Sequence, residues 1–433
     1  MAERLPPAGS RLAARSRPDR SGGAGQIAAL ALAAVAVALL AAWLLAPTDL
    51  LAPVPVDAAD WFGAAQLERA RDFRHGQTLL FLGGLAAQLA IIVLLVVGRP
   101  RWTRRALERA GRHPLAFGAI AAAGIYLAVQ LAVLPFAAVG HLRARDVGLS
   151  TQAFLPWLGD LTLSWAIGTL LAAAAGAAVI GLARRFGSRW WIPGSAFVVV
   201  AAVALTWLAP TVIAPLFDRY ERLQPGQARE DAQRIASRAG IEVGGIYRVD
   251  ASNRTSGINA FVDGLGGTKR IVLYDTLVDG NGLDRAARRA VIAHEIAHAE
   301  RNDIPRGLLW VAIAVPLALL AAARLADRLA PGRDSSRGLP VWLPAVALSV
   351  MLAATVLQVI GNGLSRAVES RADVRALELT GDPQAMISLQ RALSTRNLGD
   401  PSPPTLQSLL LSTHPSTDER IGVALAWERG ERP

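Results

Sequence analysis

Cysteine is absent from this 433-residue chain, and lysine occurs once, as Lys269. The lack of cysteine excludes a disulfide framework, zinc fingers, iron–sulfur ligation and thiol catalysis together. Any metal must then be held by histidine, aspartate or glutamate, and the chain has only six histidines. Charge is also sparse: 18% of residues are charged and 52% hydrophobic, too apolar for a disordered or ordinary secreted chain. The net charge of +11 is carried almost entirely by arginine, and with the alanine-rich runs this points to a GC-rich bacterial genome. These arginines lie mostly between long apolar runs and do not gather on one soluble face. That pattern argues against nucleic acid as a partner and for a polytopic membrane protein.

Charge-free apolar stretches occupy 26–46, 79–97, 115–140, 161–183, 192–216, 308–323 and 339–361. Most approach the ~20 residues that a helix needs to cross hydrocarbon, so seven spans are expected. The sixth is short and contains Pro316, which predicts a kink, a tilt or an extension through Arg324. The first follows an Arg-rich start and reads as an uncleaved anchor, because Leu44–Ala46 runs straight into proline without a convincing cleavage site. The expected layout is a flexible basic arm at 1–25, a five-span region at 26–217, one half of a soluble domain at 218–305, a two-span hairpin at 306–361 and the other half at 362–433. A hairpin returns the chain to the same membrane face. The two hydrophilic halves, about 160 residues together, are then large enough for one compact unit.

Within the first half, periodicity predicts a helix over Gln227–Gly240, short strands at Gly245–Asp250, Ile258–Asp263 and Arg270–Tyr274, and a helix from about Leu283 to Glu300. In the second half, helices are expected over Leu364–Thr380, Gln384–Thr395 and Thr417–Trp427, with Arg396–Pro404 flexible. The fold class is therefore mainly α: about seven transmembrane helices with an α+β soluble domain split between two segments.

His294-Glu295-Ile296-Ala297-His298 carries the chemistry. Helical spacing sets the two histidines at i and i+4 on one face, able to share one Zn²⁺, with Glu295 placed to hold the activated water. A catalytic zinc needs a third protein ligand, and Glu369 is the candidate, with Asp373 one turn further on to accept a free ring N–H. Taken alone, the segment Ser365–Asp373, with Arg366, is compatible with an ordinary solvated helix. Position favours the ligand reading. His298 precedes the sixth span by ten residues and Glu369 follows the seventh by eight. Continuous helices would hold the two about 15 and 12 Å from the membrane boundary, on the same side.

These residues resemble the type I CAAX prenyl protease family of membrane-embedded zinc endopeptidases. The likeness extends over Asp250–Phe261, Thr268–Leu277, the His294–His298 motif, Ser365–Asp373, His414-Pro415 and Glu419-Arg420-Ile421, with Gly148–Gln152 and Ile213–Phe217 upstream. The resemblance implies a gluzincin site, in a zincin-like domain facing a chamber walled by seven helices, with His294, His298 and Glu369 as zinc ligands and Glu295 as general base. It also implies that His414 and Arg420 reach the site to support substrate or oxyanion, and that Asn259 lies at a sheet edge where a peptide can pair. One departure is that Ala299-Glu300-Arg301 follows the motif where the family carries an aromatic residue.

The expected activity is hydrolysis of peptides or membrane-associated proteins at the bilayer, with membrane-protein quality control as a different substrate class. A transporter or scaffold with a structural zinc would instead need a fourth protein ligand and intramembrane charges, which the spans lack. No carboxy-terminal endoplasmic-reticulum retrieval signal is present, so a bacterial cell membrane is expected. Arginines crowd 1–25, 99–112, 184–189 and 324–337, whereas the alternate short loops hold only Arg69, Arg71, Arg74, Arg143 and Arg145. The positive-inside rule then sets the N-terminus in the cytoplasm and the zinc domain outside it.

Overall fold

The computed structural model of the chain describes residues 22–98, 113–242, 245–279, 283–330 and 336–433. Residues 1–21 of the expected flexible arm lie outside the described residues, and 22–25 already belong to the first helix. In chain order the main elements are α1 (Gly22–Leu45), α2 (Ala64–Val93), α3 (Pro114–Asp146), α4 (Phe154–Phe186), α5 (Trp191–Leu208), β1 (Tyr220–Arg222) and α6 (Gln227–Arg238). There follow β2 (Ile246–Val249), β3 (Ala260–Asp263), β4 (Arg270–Tyr274), α7 (Asp275–Val278) and α8 (Arg285–Arg301). The chain ends with α9 (Asp303–Leu329), α10 (Leu343–Thr380), α11 (Pro383–Arg396), α12 (Thr405–Leu411) and α13 (Thr417–Glu428).

Among the described residues, seven helices are long and apolar enough to cross a membrane: Ala24–Leu45, Ala64–Gly98, Pro114–Asp146, Phe154–Arg189, Trp191–Leu216, Asp303–Leu329 and Pro340–Thr380. Helices suit this setting because they satisfy every backbone N–H and C=O within one segment, where hydrocarbon offers no partner. The sixth span does extend past Arg324, and Pro316 stays inside it. α10 is one unbroken helix that carries the seventh span straight into the soluble unit, so Glu369 is delivered on a rigid continuation of a membrane helix.

The corresponding expectation for His298 does not hold. Asn302 adopts a left-handed conformation (φ 54°) that caps α8 and starts α9, so the histidine helix and the sixth span meet at a corner. Asparagine tolerates that conformation better than most residues, and Pro305 lies in the first turn of the new helix, where a missing N–H costs nothing.

The sheet has four strands in the order β1-β2-β4-β3. β1 pairs antiparallel with β2, β2 parallel with β4, and β3 antiparallel with β4, which leaves β3 as an edge. β1 adds a strand to the three expected. One hydrophobic core unites the sheet, α6, α8, the lower part of α10, α11 and α13. It also takes in Leu51, Ala58 and Phe62 from the connection between α1 and α2. Val54 donates to the carbonyl of Gly422, and a Cβ at Gly422 would overlap the Val54 carbonyl, so only glycine fits there. Asp49, in the same connection, accepts from Arg301 at 3.2 Å and from Arg371 at 2.6 Å, tying the end of α8 to α10.

The upstream motifs meet in space. Thr151 N donates to Arg254 O and Ser256 N to Leu149 O, and Arg254 pairs with Asp160 and Asp218 at 2.9 and 2.7 Å. The segment Arg396–Pro404, expected to be flexible, is instead tied down by long-range bonds. Asn397 exchanges both side-chain bonds with the backbone of Ile258, and Arg74 donates to the carbonyls of Asn397 and Leu398.

Candidate metal centre

Asp284 caps α8 through the Ala287 N–H, and alanines at 287, 290, 293 and 297 let this helix pass buried through the domain centre. Its two histidines face Glu369 of α10. His294 Nε2 lies 3.1 Å from His298 Nε2 and 3.2 Å from a Glu369 carboxylate oxygen, and His298 Nε2 lies 3.5 Å from the other oxygen. One ligand atom from each residue falls within 4.8 Å of the others, the single group of this kind among the described residues.

The far ring nitrogens are both engaged by carboxylates. His294 Nδ1 is 2.9 Å from Asp373, and His298 Nδ1 is 2.9 Å from Asp303. If each Nδ1–H donates to its carboxylate, both Nε2 lone pairs and the Glu369 carboxylate converge on one point with no donor among them. Such a triad can enclose a cation in place of the imidazolium protons that otherwise bridge to Glu369, and two imidazoles with one carboxylate is a donor set suited to Zn²⁺.

Each of the two histidines is therefore held by an aspartate that is itself held by an arginine. Arg420 grips Asp373 with two bonds of 2.7 and 2.6 Å, and Arg306 donates to Asp303 at 2.9 Å. Asp373 is where the sequence placed it. Asp303 was not anticipated, although Asn302-Asp303-Ile304-Pro305 is a helix-start pattern and marks the corner that brings this carboxylate back to His298. Asp303→Asn keeps an acceptor but removes the charge, and zinc affinity is expected to fall about 10- to 100-fold. Competition against a chromophoric chelator measures this, and unchanged affinity would remove Asp303 from its role.

The remaining sequence candidates fall around this point. Glu295 is buried. His414 is exposed, with Nε2 3.4 Å from Glu369 Oε1 and Nδ1 2.9 Å from Thr413. Arg366 donates to the carbonyls of Ser408 and Ser412, at 3.0 and 2.6 Å, fastening the turn that precedes His414. Arg420 sits beside His294, engaged by Asp373, and is not among the residues lining the cavity over the cluster. Asn259 is exposed just before edge strand β3, and its carbonyl accepts from Tyr274 N.

The cavity over the cluster measures about 590 Å³ and is walled by Ala260–Val262 of β3, His294, Glu295, His298, Trp310, Asn362 and His414. In the cation-free protein its electrostatics are dominated by carboxylates. Burial opposes protonation of His298, yet the bonds to Asp303 and Glu369 prevail and raise its pKa to about 10. His294 is raised as well, because Asp373 and Glu369 outweigh its burial. The Glu295 carboxyl is pushed up by burial, against the pull of the two histidines.

Comparison with known proteins agrees with this geometry. Residues 222–428 match the model of peptidase family M48, and residues 50–219 match that described as "CAAX prenyl protease N-terminal, five membrane helices". A Bacillus subtilis protein described as an uncharacterized metalloprotease, YhfN, is 27% identical over 84% of this chain and 87% of its own length. CAAX prenyl protease 1 of Saccharomyces cerevisiae is 32% identical over a shorter alignment, 40% of this chain and 38% of the yeast protein. The crystal structure of S. mikatae Ste24p superposes with a TM-score of 0.69 at 21% identity, covering 92% of this chain and 98% of that one, which shows a shared fold. Fold and site together define a multi-pass membrane metalloprotease acting on peptide substrates. The chain thus carries a peptidase family M48 domain preceded by a region matching the five-helix N-terminal part of CAAX prenyl proteases.

Proposed function

We propose that the chain is a zinc metalloendopeptidase whose single catalytic centre is His294, His298 and Glu369, with Glu295 as general base. The observation carrying this reading is the convergence of three lone-pair donors on one point, with a buried glutamate next to the first histidine. Zn²⁺ held by His294, His298 and Glu369 would supply Lewis acidity toward a scissile carbonyl and bound water. The chain supplies the rest. Burial raises the basicity of Glu295, which suits a carboxylate that takes a proton from water and later returns it to the leaving amine. His414, near Glu369, is placed to donate to the substrate oxygen as charge develops. Arg420 acts through Asp373, fixing the ring of His294.

Edge strand β3, with Asn259 at its start, offers unpaired backbone groups along the cavity wall, so an extended peptide can add there as a strand. On this reading, 218–305 and 362–433 form one catalytic unit and the hairpin 306–361 is its frame. The substrate is a peptide or membrane-associated protein; the prenyl label belongs to the relatives' names. Purified protein is expected to digest an unfolded reporter, to lose that activity to a zinc chelator and to regain it with stoichiometric Zn²⁺. Undiminished cleavage after complete zinc removal would overturn the proposal.

The arginine distribution supports a bacterial membrane location with this unit outside the cytoplasm. Reporter fusions after Arg112 and after Gly280 are expected to give opposite signals, cytoplasmic and extracytoplasmic respectively. A cytoplasmic signal at Gly280 would reverse the orientation.

A further inference from the structure

α12 stands out within the otherwise well-packed second half of the soluble unit. None of its seven residues is buried, and Leu406, Leu409, Leu410 and Leu411 are 68, 51, 41 and 40% exposed. Leu406, Leu409 and Leu410 are spaced i, i+3, i+4 and so share one face of the helix. None of the four lines the cavity over the metal centre. A contiguous leucine face of this kind is unfavourable against water and marks a contact surface.

Three hydrogen bonds fix the height of this helix against the spans. Asn362 donates to the Leu410 carbonyl at 2.9 Å, Arg366 to that of Ser408 at 3.0 Å, and Gln407 to the Thr78 hydroxyl at 3.4 Å. Asn362 directly follows the charge-free run that ends the seventh span, and Thr78 directly precedes the run that opens at Leu79 in the second. α12 therefore lies at the level where the apolar bands of two spans begin. On α2, just past Thr78, Leu79, Phe81 and Leu82 are themselves exposed. On the other side of α12, Gln407 and Ser408 are half-buried, and Gln407 bonds to Thr78.

We propose that Thr405–Leu411 is seated in the bilayer interface, with its leucines among the upper acyl chains, as a lipid contact outside the seven spans. A short helix with an apolar face and a polar back is suited to lie in that plane. Ser412, whose carbonyl Arg366 holds, links this helix to Thr413 and His414 on the cavity wall. Lipid contact would thus hold the His414 segment at a fixed height over the metal centre. The inference rests on the membrane spans alone, so its failure leaves the metal centre untouched.

The absence of cysteine makes the test direct. Leu406→Cys, Leu409→Cys and, as an exposed control on α11, Arg391→Cys are each labelled with an environment-sensitive fluorophore in the full chain. The labelled proteins are then reconstituted into phosphatidylcholine vesicles. Both leucine side chains are largely exposed, so their replacement removes little packing, and an unchanged melting temperature confirms the fold. Lipids carrying a nitroxide high on the acyl chain are expected to quench the labels at 406 and 409 at least about threefold more strongly than the label at 391. Aqueous iodide is expected to show the reverse order. Labels at 406 and 409 that respond to both quenchers as the label at 391 does would overturn the proposal.

Discussion

Glu295→Gln is expected to lower peptide cleavage by about 10²- to 10⁴-fold, the range general-base catalysis contributes, while the protein retains one zinc per chain. The substitution is nearly isosteric and leaves the three ligands and both aspartate–arginine braces in place. It removes only the group that can accept a proton. Glu295 is buried, and its raised pKa reflects that burial, so the neutral amide also avoids the desolvation that the carboxylate endures. The variant should accordingly be at least as stable as the parent. Cleavage assays alongside metal analysis separate the cases. Equal cleavage by the variant would remove Glu295 from its role, and loss of zinc together with activity would make it a structural residue.

Glu369→Ala is expected to weaken zinc binding by more than about 100-fold, beyond the upper end of what outer partners contribute. Without this carboxylate two imidazoles 3.1 Å apart face each other with only water to complete the coordination. The cluster also loses one of the carboxylates that, after Asp303, raise the His298 pKa to about 10 in the cation-free protein. The same variant should therefore titrate His298 at lower pH. Chelator competition gives the first result and NMR of the imidazole protons gives the second. Full zinc occupancy at unchanged affinity would show that the third ligand lies elsewhere.

The parts of this molecule that were legible in its sequence are those fixed by local physics. A helix long enough to cross hydrocarbon must carry an apolar run, so the spans announced themselves one by one. The two histidines were legible because i and i+4 are neighbours on any helix, whatever surrounds it. Glu369 was harder, since about seventy residues separate it from the motif; the hairpin of spans gave the reason for its return.

Where the sequence misled, one or two residues had tertiary consequences. Continuous helices from His298 into the sixth span were a reasonable extrapolation, and the left-handed turn at Asn302 breaks them. That corner is also what turns Asp303 toward His298, so missing the break meant missing the residue. Leu51, Val54 and Phe62 lie among prolines with no helical or strand period, and nothing local shows that they join the soluble core. β1 is three residues long and paired at an edge, too short to carry a pattern. α12 has leucines but little room for periodicity, and its exposed face makes sense only beside the spans.

X-ray absorption at the zinc edge of the purified, reporter-cleaving protein tests the central claim most directly. The account predicts two imidazole nitrogens at about 2.0–2.1 Å, oxygen ligands at about 2.0–2.2 Å and no sulfur, with the imidazole signature lost when His294 and His298 are both replaced by alanine. A spectrum of oxygen ligands alone, or one unaltered by that double replacement, would contradict it.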